Sequence, residues 1–294
     1  MNLCIACEKN EANFDYYLCG DCATRQGMVS PDATRALYRN ALASYHRIVK
    51  LVSGAMPYKS DNTASGITYL GVLASTDVSL NAALRLLYQA RLMSMLEGVP
   101  GDIVECGAGK GQTLLYWCIL AQEKLRNVWG FDSFEGFPTV APEDDSPRNS
   151  QKGSWTPGLT DVEGKKVETD YIDYTLVVPG LLKVYGIPDG FVQSHVTLVK
   201  GWFVDSLPKY TGDQIALLHL DCDLYESYRD SLELLGDKCV GIIAVDEYMG
   251  TLEHYNFPGA KKAVDEWLEK HKADWELRRD NAYGKYYLLH RSLA

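Results

Sequence analysis

The sequence has no excess of basic residues and no long apolar run. Its 29 lysines and arginines are outnumbered by 39 acidic residues, which gives a net charge of −10 and argues against a large surface for the phosphate backbone of nucleic acid. No apolar stretch approaches the roughly 18 residues of a membrane-spanning helix, and residues 1–10 lack the apolar segment of a signal peptide. We therefore expect no nucleic-acid partner, no membrane association and a cytoplasmic location.

The rest of the composition is that of an ordinary globular protein. With 294 residues, 46% hydrophobic and 23% charged, the chain can bury a full core. From residue 98 onward predicted strands alternate with predicted helices, which indicates a parallel α/β sheet covered on both faces. The strands are predicted at 102–106, 128–131, 196–199, 215–220 and 240–245, and the helices at 112–124, 177–185, 225–235 and 259–271. The end of the chain, at 275–280 and 283–290, alternates as an antiparallel hairpin.

Four of the eight cysteines lie close together near the start of the chain. They form two C-x2-C pairs, at Cys4, Cys7, Cys19 and Cys22. A closed set of four thiolates suits a tetrahedral structural Zn²⁺, and the alternative is reduced or disulfide-paired thiols. We predict that residues 1–30 form a small zinc-knuckle module, because so few apolar side chains cannot fold without a metal.

Residues 31–97 are predicted to be a helical segment between this module and the main domain at 98–294. Apolar residues recur at helical spacing over 34–52, and a second helix is predicted over 80–97. The apolar face of the first helix can pack on the main domain or on a second subunit. We therefore expect a homo-oligomer.

The most informative stretch of the chain reads Val-Glu-Cys-Gly-Ala-Gly-Lys-Gly-Gln-Thr. Gly107, Gly109 and Gly111 allow the backbone to take positive φ close to a ligand, at the start of a predicted helix. The strict dinucleotide fingerprint places its third glycine later in the sequence than Gly111. The spacing in this chain therefore favours an adenosyl ligand over a nicotinamide. Asp132 ends the next predicted strand, about 27 residues after Glu105, where a carboxylate can accept hydrogen bonds from ribose hydroxyls.

Two further predicted strands run directly into acidic residues. One is followed by Asp221 and Asp223, and the next by Asp246 and Glu247. Because ligands bind at the carboxyl edge of an open α/β sheet, we expect Asp221, Asp246 and Glu247 to converge beside the glycine loop. Crowded carboxylates repel unless a cation neutralises them, and oxygen donors favour Mg²⁺, or else Mn²⁺ or Ca²⁺. The alternative, strongest for Asp223, is that these acids cap the following helices.

Five segments match, in order, the motifs of one protein family. The first two are Val-Pro-Gly-Asp-Ile-Val-Glu-Cys-Gly at 99–107 and Asp-Ser-Phe-Glu-Gly-Phe-Pro at 132–138. The other three are Gly-Trp-Phe-Val-Asp-Ser-Leu-Pro at 201–208, Leu-Asp-Cys-Asp-Leu-Tyr-Glu-Ser at 220–227 and Val-Asp-Glu-Tyr at 245–248. With them the chain resembles, over residues 68–290, the TylF/MycF/NovP-like macrocin O-methyltransferase family. The resemblance implies a class I methyltransferase fold, with a Rossmann-like sheet and an antiparallel C-terminal hairpin. It also implies methylation of a sugar or glycoside hydroxyl with S-adenosylmethionine and Mg²⁺.

The resemblance also implies roles for individual residues. Asp221, Asp246 and Glu247 would hold the divalent metal, and Asp221 would act as the general base. Contacts with S-adenosylmethionine would come from the glycine loop and the next two motifs, at Glu105, Gly107, Ala108, Gly109, Gly111, Asp132, Ser133 and Trp202. The chain departs from the family where Glu247 replaces a frequent Asp and Gln112 replaces a frequent glycine. The four-cysteine module is not part of the usual pattern.

A hydroxyl is a poor nucleophile at neutral pH, so a cation and a carboxylate are expected to activate it. His254 is an alternative base. The polar stretch 138–175 is predicted to be a lid or substrate-binding insertion. Two other functions stay open. One is a metal-dependent methyltransferase of a catechol or other vicinal diol, and the other is a non-catalytic sensor of S-adenosylmethionine with a zinc module. Intact acids at all three metal positions argue against the sensor.

Overall fold

The computed structural model describes residues 80–146, 150–154, 159–160, 166–167, 174–184, 186–248 and 257–294. The predicted zinc module at 1–30 and the predicted helix at 34–52 lie outside these residues, as does His254. Among the helices that are described, none is both long enough and apolar enough to cross a membrane.

A seven-stranded sheet forms the centre of the described fold. Its parallel strands are β1 Asp102–Cys106, β2 Val128–Asp132, β5 Val196–Lys200, β6 Ile215–Leu220 and β7 Cys239–Val245. The hairpin strands β8 Trp275–Asp280 and β9 Lys285–His290 complete it in the order β5-β2-β1-β6-β7-β9-β8. A separate two-stranded ribbon pairs β3 Leu159–Thr160 with β4 Lys166–Val167. The predicted parallel sheet with an antiparallel hairpin is confirmed.

Helices cover both faces of this sheet. They are α1 Leu80–Ser94, α2 Gln112–Ala121, α3 Tyr174–Val184, α4 Asp189–His195, α5 Phe203–Ser206, α6 Tyr225–Leu235 and α7 Pro258–His271. In the sheet, β2 and β5 follow one another on one side of β1, and β6 and β7 follow on the other side of β1. The order reverses at β1 and β6, which is where an open α/β sheet binds its ligand.

Two apolar cores lie on either side of the sheet. Every residue of β6 is buried, as expected for a parallel strand covered on both faces. Tyr88, Leu92 and Trp117, on α1 and α2, line one core, and Tyr228 and Trp267, on α6 and α7, line the other. The packing of α1 ties it to the sheet domain, upstream of the predicted domain start at residue 98.

The structure differs from the predicted elements mainly between the strands. The short helices α4 and α5 were not predicted, because seven and four residues are too few to show a clear helical period. The final hairpin turns through four residues rather than two. Asp280 closes this turn, because its side chain accepts the Ala282 and Tyr283 N–H groups at 2.9 and 3.3 Å while its carbonyl accepts the Gly284 N–H.

Candidate active site

The glycine loop leaves the carboxyl end of β1 and packs against the neighbouring strands. The Gly107 and Ala108 N–H groups donate to the Phe131 carbonyl on β2, at 2.8 and 3.2 Å. Gly107 has a φ of +97°, and a Cβ there would overlap the Asp221 carbonyl oxygen after β6. Only glycine fits at this position, and the loop is therefore held directly beside the predicted metal segment.

Asp132 fixes the same loop from the end of β2. Its Oδ2 accepts the Gly109 N–H at 2.8 Å, and its Oδ1 accepts the Phe134 N–H at 2.6 Å. Burial raises the pKa of Asp132, although these two donors oppose the shift. Each carboxylate oxygen keeps a further lone pair for another donor. The predicted ribose contact is thus chemically available, and it stays a prediction.

Gly109 is the part of the loop that leaves room for a ligand. Its φ is +48°, and no heavy atom of the described residues lies within 4 Å of where its Cβ would stand. Gly111 also has positive φ, at +80°. The predicted positive φ of all three loop glycines is confirmed, and the open face lies at the carboxyl edge of the sheet.

Glu105 lies beneath the loop, in a buried pair that the sequence did not reveal. Its side chain is fully buried, and its Oε1 lies 3.2 Å from His219 Nδ1 on β6. Burial raises the pKa of Glu105 to about 7, although the His219 contact opposes this. Its other oxygen, Oε2, is buried and has no hydrogen-bond partner among the described residues. Glu105 therefore keeps one acceptor for a donor such as a bound cofactor.

Ser133 and Trp202, the other predicted cofactor contacts, lie at the ends of β2 and β5. The Ser133 hydroxyl accepts the Glu135 N–H at 3.1 Å and donates to the Gly136 carbonyl at 3.3 Å. Trp202 is the N-terminal cap residue of α5 and is half-buried. Both residues stand at the ligand edge, and their contact with a cofactor stays a prediction.

The three predicted metal ligands converge as expected. Asp221, Asp246 and Glu247 each offer a carboxylate oxygen, and these atoms lie within 4.8 Å of one another. Parallel pairing brings them together, since the Asp221 N–H donates to Cys106 and the Asp246 N–H to Leu220, both at 3.0 Å. An all-oxygen donor set of this kind fits a hard divalent cation.

A lysine from the final hairpin also contacts this cluster, and no motif in the sequence indicates this contact. Lys285 Nζ lies 2.6 Å from Asp246 Oδ1. Burial alone would raise the pKa of Asp246, but Lys285 and then Arg85 outweigh burial and hold it well below its usual range. The charge of Arg85 acts on all three carboxylates. Repulsion within the cluster is therefore weaker than three carboxylates alone would give, because Lys285 and Arg85 offset part of it.

The other two carboxylates of the cluster have raised pKa values. Burial, and then the charge of Asp246, raise the pKa of Asp221, while His219 opposes the shift. Burial, and then Asp221, raise the pKa of Glu247 well above its usual range. A carboxylate with a raised pKa is a stronger base near neutral pH, which is the property that a general base requires.

Glu247 has a second contact on the side of α6. The Tyr228 hydroxyl lies 2.5 Å from Glu247 Oε2 and 2.9 Å from the Leu220 carbonyl. Burial, followed by the charge of Glu247, raises the pKa of Tyr228 well above its usual range, so the phenol stays protonated. A fully buried phenol therefore hydrogen-bonds a predicted metal ligand.

Asp144 caps α6, the helix that follows Asp223. The residue before α6 is Leu224, and its side chain makes no capping bond. Instead the Tyr225 N–H donates to Asp144 Oδ1 at 2.8 Å. Asp144 is buried and also lies against Gly259 in the first turn of α7. The predicted lid segment is thus anchored at the N-termini of two helices, where a carboxylate is favoured.

A hollow of about 500 Å³ lies at the opposite edge of the sheet, beside Asp102 and Arg126. Its carboxylate, Asp102, already accepts hydrogen bonds from Asn127, Trp129 and Tyr210, each at 3.1 Å. Its guanidinium, on Arg126, donates to backbone carbonyls such as that of Gly101. These polar groups stabilise the fold, and the ligand edge is the better candidate.

The sheet order and the ligand edge are those of a class I methyltransferase, and the comparisons agree. The macrocin-O-methyltransferase (TylF) family model matches residues 73–288. Demethyldecarbamoylnovobiocin O-methyltransferase of Streptomyces niveus is 32% identical over 197 residues, which is 63% of this chain and 66% of the relative. The 8-demethyl-8-(2,3-dimethoxy-alpha-L-rhamnosyl)-tetracenomycin-C 4'-O-methyltransferase of Streptomyces olivaceus is 29% identical over 159 residues, which is 52% of this chain and 55% of the relative.

A solved structure gives the same result over more of the chain. The structure of the O-methyltransferase NovP matches with a TM-score of 0.56 and 26% identity, and the match covers 85% of this chain and 99% of that one. In the sequence comparisons, by contrast, this chain spans less than two thirds of the length of the two curated relatives named above. Since the family model covers well over half of the 294 residues, the chain belongs to the TylF macrocin-O-methyltransferase family. The resemblance seen in its motifs is confirmed.

Proposed function

We propose that the protein transfers a methyl group from S-adenosylmethionine to a hydroxyl of a sugar or glycoside. Family membership supports the reaction class, and the observation that carries the proposal is the position of two groups at one sheet edge. The glycine loop and the Asp221 cluster come so close that Gly107 cannot carry a side chain. A cofactor on the loop would therefore stand beside an acceptor held at the carboxylates.

We assign cofactor binding to the ends of β1 and β2. Gly109 leaves space for a ligand beside the loop. The carboxylate of Asp132 and the unpaired Oε2 of Glu105 supply hydrogen-bond acceptors for the hydroxyl and ammonium groups of such a ligand. S-adenosylmethionine supplies the methyl group, on a sulfonium that needs no further activation by the protein. The role of this region is to bind and orient the cofactor.

We assign a divalent metal, Mg²⁺ or another hard cation, to Asp221, Asp246 and Glu247. The donor set fits, because it consists of oxygens from two adjacent strand ends. When bound, the cation would make a coordinated hydroxyl more acidic and hold two neighbouring hydroxyls in place. Asp221 would take the proton, since burial and Asp246 raise its pKa. Its own carbonyl also lies directly against Gly107 of the glycine loop.

The names of two relatives support the proposed acceptor class. One relative's name gives a rhamnosyl-tetracenomycin as its acceptor, and another's gives demethyldecarbamoylnovobiocin. A catechol or other vicinal diol remains the second candidate, because a cation held by three carboxylates would bind any pair of adjacent hydroxyls. A sensor without catalysis is disfavoured by the intact carboxylate cluster.

A methyl-transfer screen tests this proposal. The purified protein would be incubated with S-adenosylmethionine, Mg²⁺ and a panel of nucleotide-linked deoxysugars, glycosides and catechols. Mass spectrometry would then identify any acceptor that gains one methyl group. We expect sugars or glycosides to be methylated in preference to catechols. Methylation of catechols alone would overturn the acceptor class, and binding of the cofactor without any transfer across the panel would favour the sensor.

The N-terminal zinc module, the homo-oligomer and the cytoplasmic location stay predictions. For zinc, metal analysis of freshly reduced protein should find about one zinc per chain, and the ion should be lost when Cys19 is replaced. A preparation without zinc would contradict the module.

A further inference from the structure

The carboxylate of Glu247 is held on its buried side by one aromatic residue. Tyr228 is fully buried on α6, and its hydroxyl lies 2.5 Å from Glu247 Oε2. The Glu247 N–H approaches the same phenol oxygen at 3.3 Å. The backbone and the side chain of Glu247 therefore both meet one rigid group, which also contacts the Leu220 carbonyl at the end of β6.

Glu247 needs such a contact more than a shorter acid would. Compared with Asp221 and Asp246, the other two acids of the cluster, its side chain has one more methylene and one more rotatable bond. That extra freedom must be lost if an oxygen is to be kept near Asp221 and Asp246. The buried phenol restricts this freedom by holding Oε2 at 2.5 Å, and the Asp223 N–H approaches the same oxygen at 3.4 Å.

We propose that Tyr228 is a positioning residue that anchors Glu247 and so sets the affinity of the carboxylate cluster for its divalent cation. The inference rests on the proposed metal site and adds a residue to it. Partners that hydrogen-bond a metal ligand typically change metal affinity by about 10- to 100-fold when they are removed. The competing explanation is that the phenol only satisfies the Leu220 carbonyl and has no effect on the metal.

A double-mutant cycle read by Mn²⁺ binding separates the two explanations. The unaltered protein, Tyr228→Phe, Glu247→Asp and the double variant would be titrated with Mn²⁺ without acceptor, and free Mn²⁺ would be followed by electron paramagnetic resonance. Tyr225→Phe is the matched control, because it removes a phenol hydroxyl from the same helix whose partner is Glu266, at 2.8 Å. Calorimetry with S-adenosylhomocysteine would report whether each variant keeps its fold.

We expect Tyr228→Phe to weaken Mn²⁺ binding by about 10-fold or more, and Tyr225→Phe by less than about two-fold. In the Glu247→Asp background the effect of Tyr228→Phe should shrink to less than about three-fold, because the shorter acid no longer reaches the phenol. Equal losses in both backgrounds, or no loss in Tyr228→Phe, would overturn the inference. If Tyr228→Phe does not fold, Tyr228→Met takes its place in the cycle, because it also removes the hydroxyl and its flexible side chain fills the buried space, and the same outcomes apply. A failure of the unaltered protein to bind Mn²⁺ would overturn the metal site itself.

Discussion

Replacing Glu105 with Gln should change how the stability of the protein depends on pH. Glu105 is fully buried beside His219, and its pKa is raised from 4.5 to about 7. In the unfolded chain the carboxyl loses its proton near 4.5, whereas the folded protein keeps it until about 7. The proton thus favours the folded state at low pH, and this contribution is lost as pH rises from about 4.5 to about 7.

The size of the effect follows from the same two values. A difference of about 2.5 units at about 1.4 kcal/mol per unit gives roughly 3 kcal/mol. This is an upper limit, because Glu105 and His219 share the proton. The pKa of His219 is also raised, despite burial, by its contact with Glu105. Its contribution has the same sign, since it is lost as pH rises through the folded pKa, and it should disappear in the same variant.

Urea unfolding at about pH 5, 6, 7 and 8, without cofactor, measures the difference. The unaltered protein should lose up to about 3 kcal/mol of unfolding free energy relative to Glu105→Gln across this range. Glu97→Gln is a matched control, because Glu97 is exposed and pairs loosely with Lys124 at 3.7 Å. Parallel pH curves for the unaltered protein and Glu105→Gln would refute the assignment of a raised pKa to this pair.

Three further variants test the cofactor loop, the helix cap at Asp144 and the packing of Gly107 against the Asp221 carbonyl. Asp132→Ala should weaken binding of S-adenosylhomocysteine by about 1.5–3 kcal/mol in calorimetry, and unchanged affinity in a folded variant would defeat the ribose assignment. Asp144→Ala should lower the unfolding free energy by about 1–2 kcal/mol, whereas Glu143→Ala, which removes an ion pair with Lys262, should cost less. Equal losses would contradict the capping role. Gly107→Ala should cost more than about 2 kcal/mol, because its φ of +97° and the Asp221 carbonyl both exclude a Cβ, and a fully stable variant would be inconsistent with this packing.

The sheet and its acidic edge could be predicted because each depends on local patterns and one general rule. Apolar runs such as that of β6 identify buried strands. The rule that ligands bind at the carboxyl ends of parallel strands then brings Asp221, Asp246 and Glu247 together. Neither step requires knowledge of the pairing register, and both were confirmed by the structure.

The remaining contacts depend on register and on distant segments, which a single sequence does not encode locally. Glu105 meets His219 because β1 and β6 pair in that register, although they are more than a hundred residues apart. Lys285 reaches Asp246 because β9 runs antiparallel to β7, with Tyr286 opposite Val245. Such pairings follow from the packing of the whole domain.

The helix cap at Asp144 could not be predicted from the sequence either. Asp144 comes from a polar stretch with no periodicity, so nothing in its neighbourhood indicates that it caps α6. The positive φ of the loop glycines, in contrast, was predictable from residue type alone.

The most direct test of the proposed function is methyl transfer by Asp221→Asn beside the unaltered protein, each treated with EDTA and then resupplied with Mg²⁺. We predict that chelation abolishes transfer by the unaltered protein and that Mg²⁺ restores it. We also predict that Asp221→Asn stays inactive throughout while it binds S-adenosylhomocysteine normally, because the main predicted cofactor contacts lie at the ends of β1 and β2. Full activity of Asp221→Asn in the chelator-treated preparation would contradict both the metal site and the base.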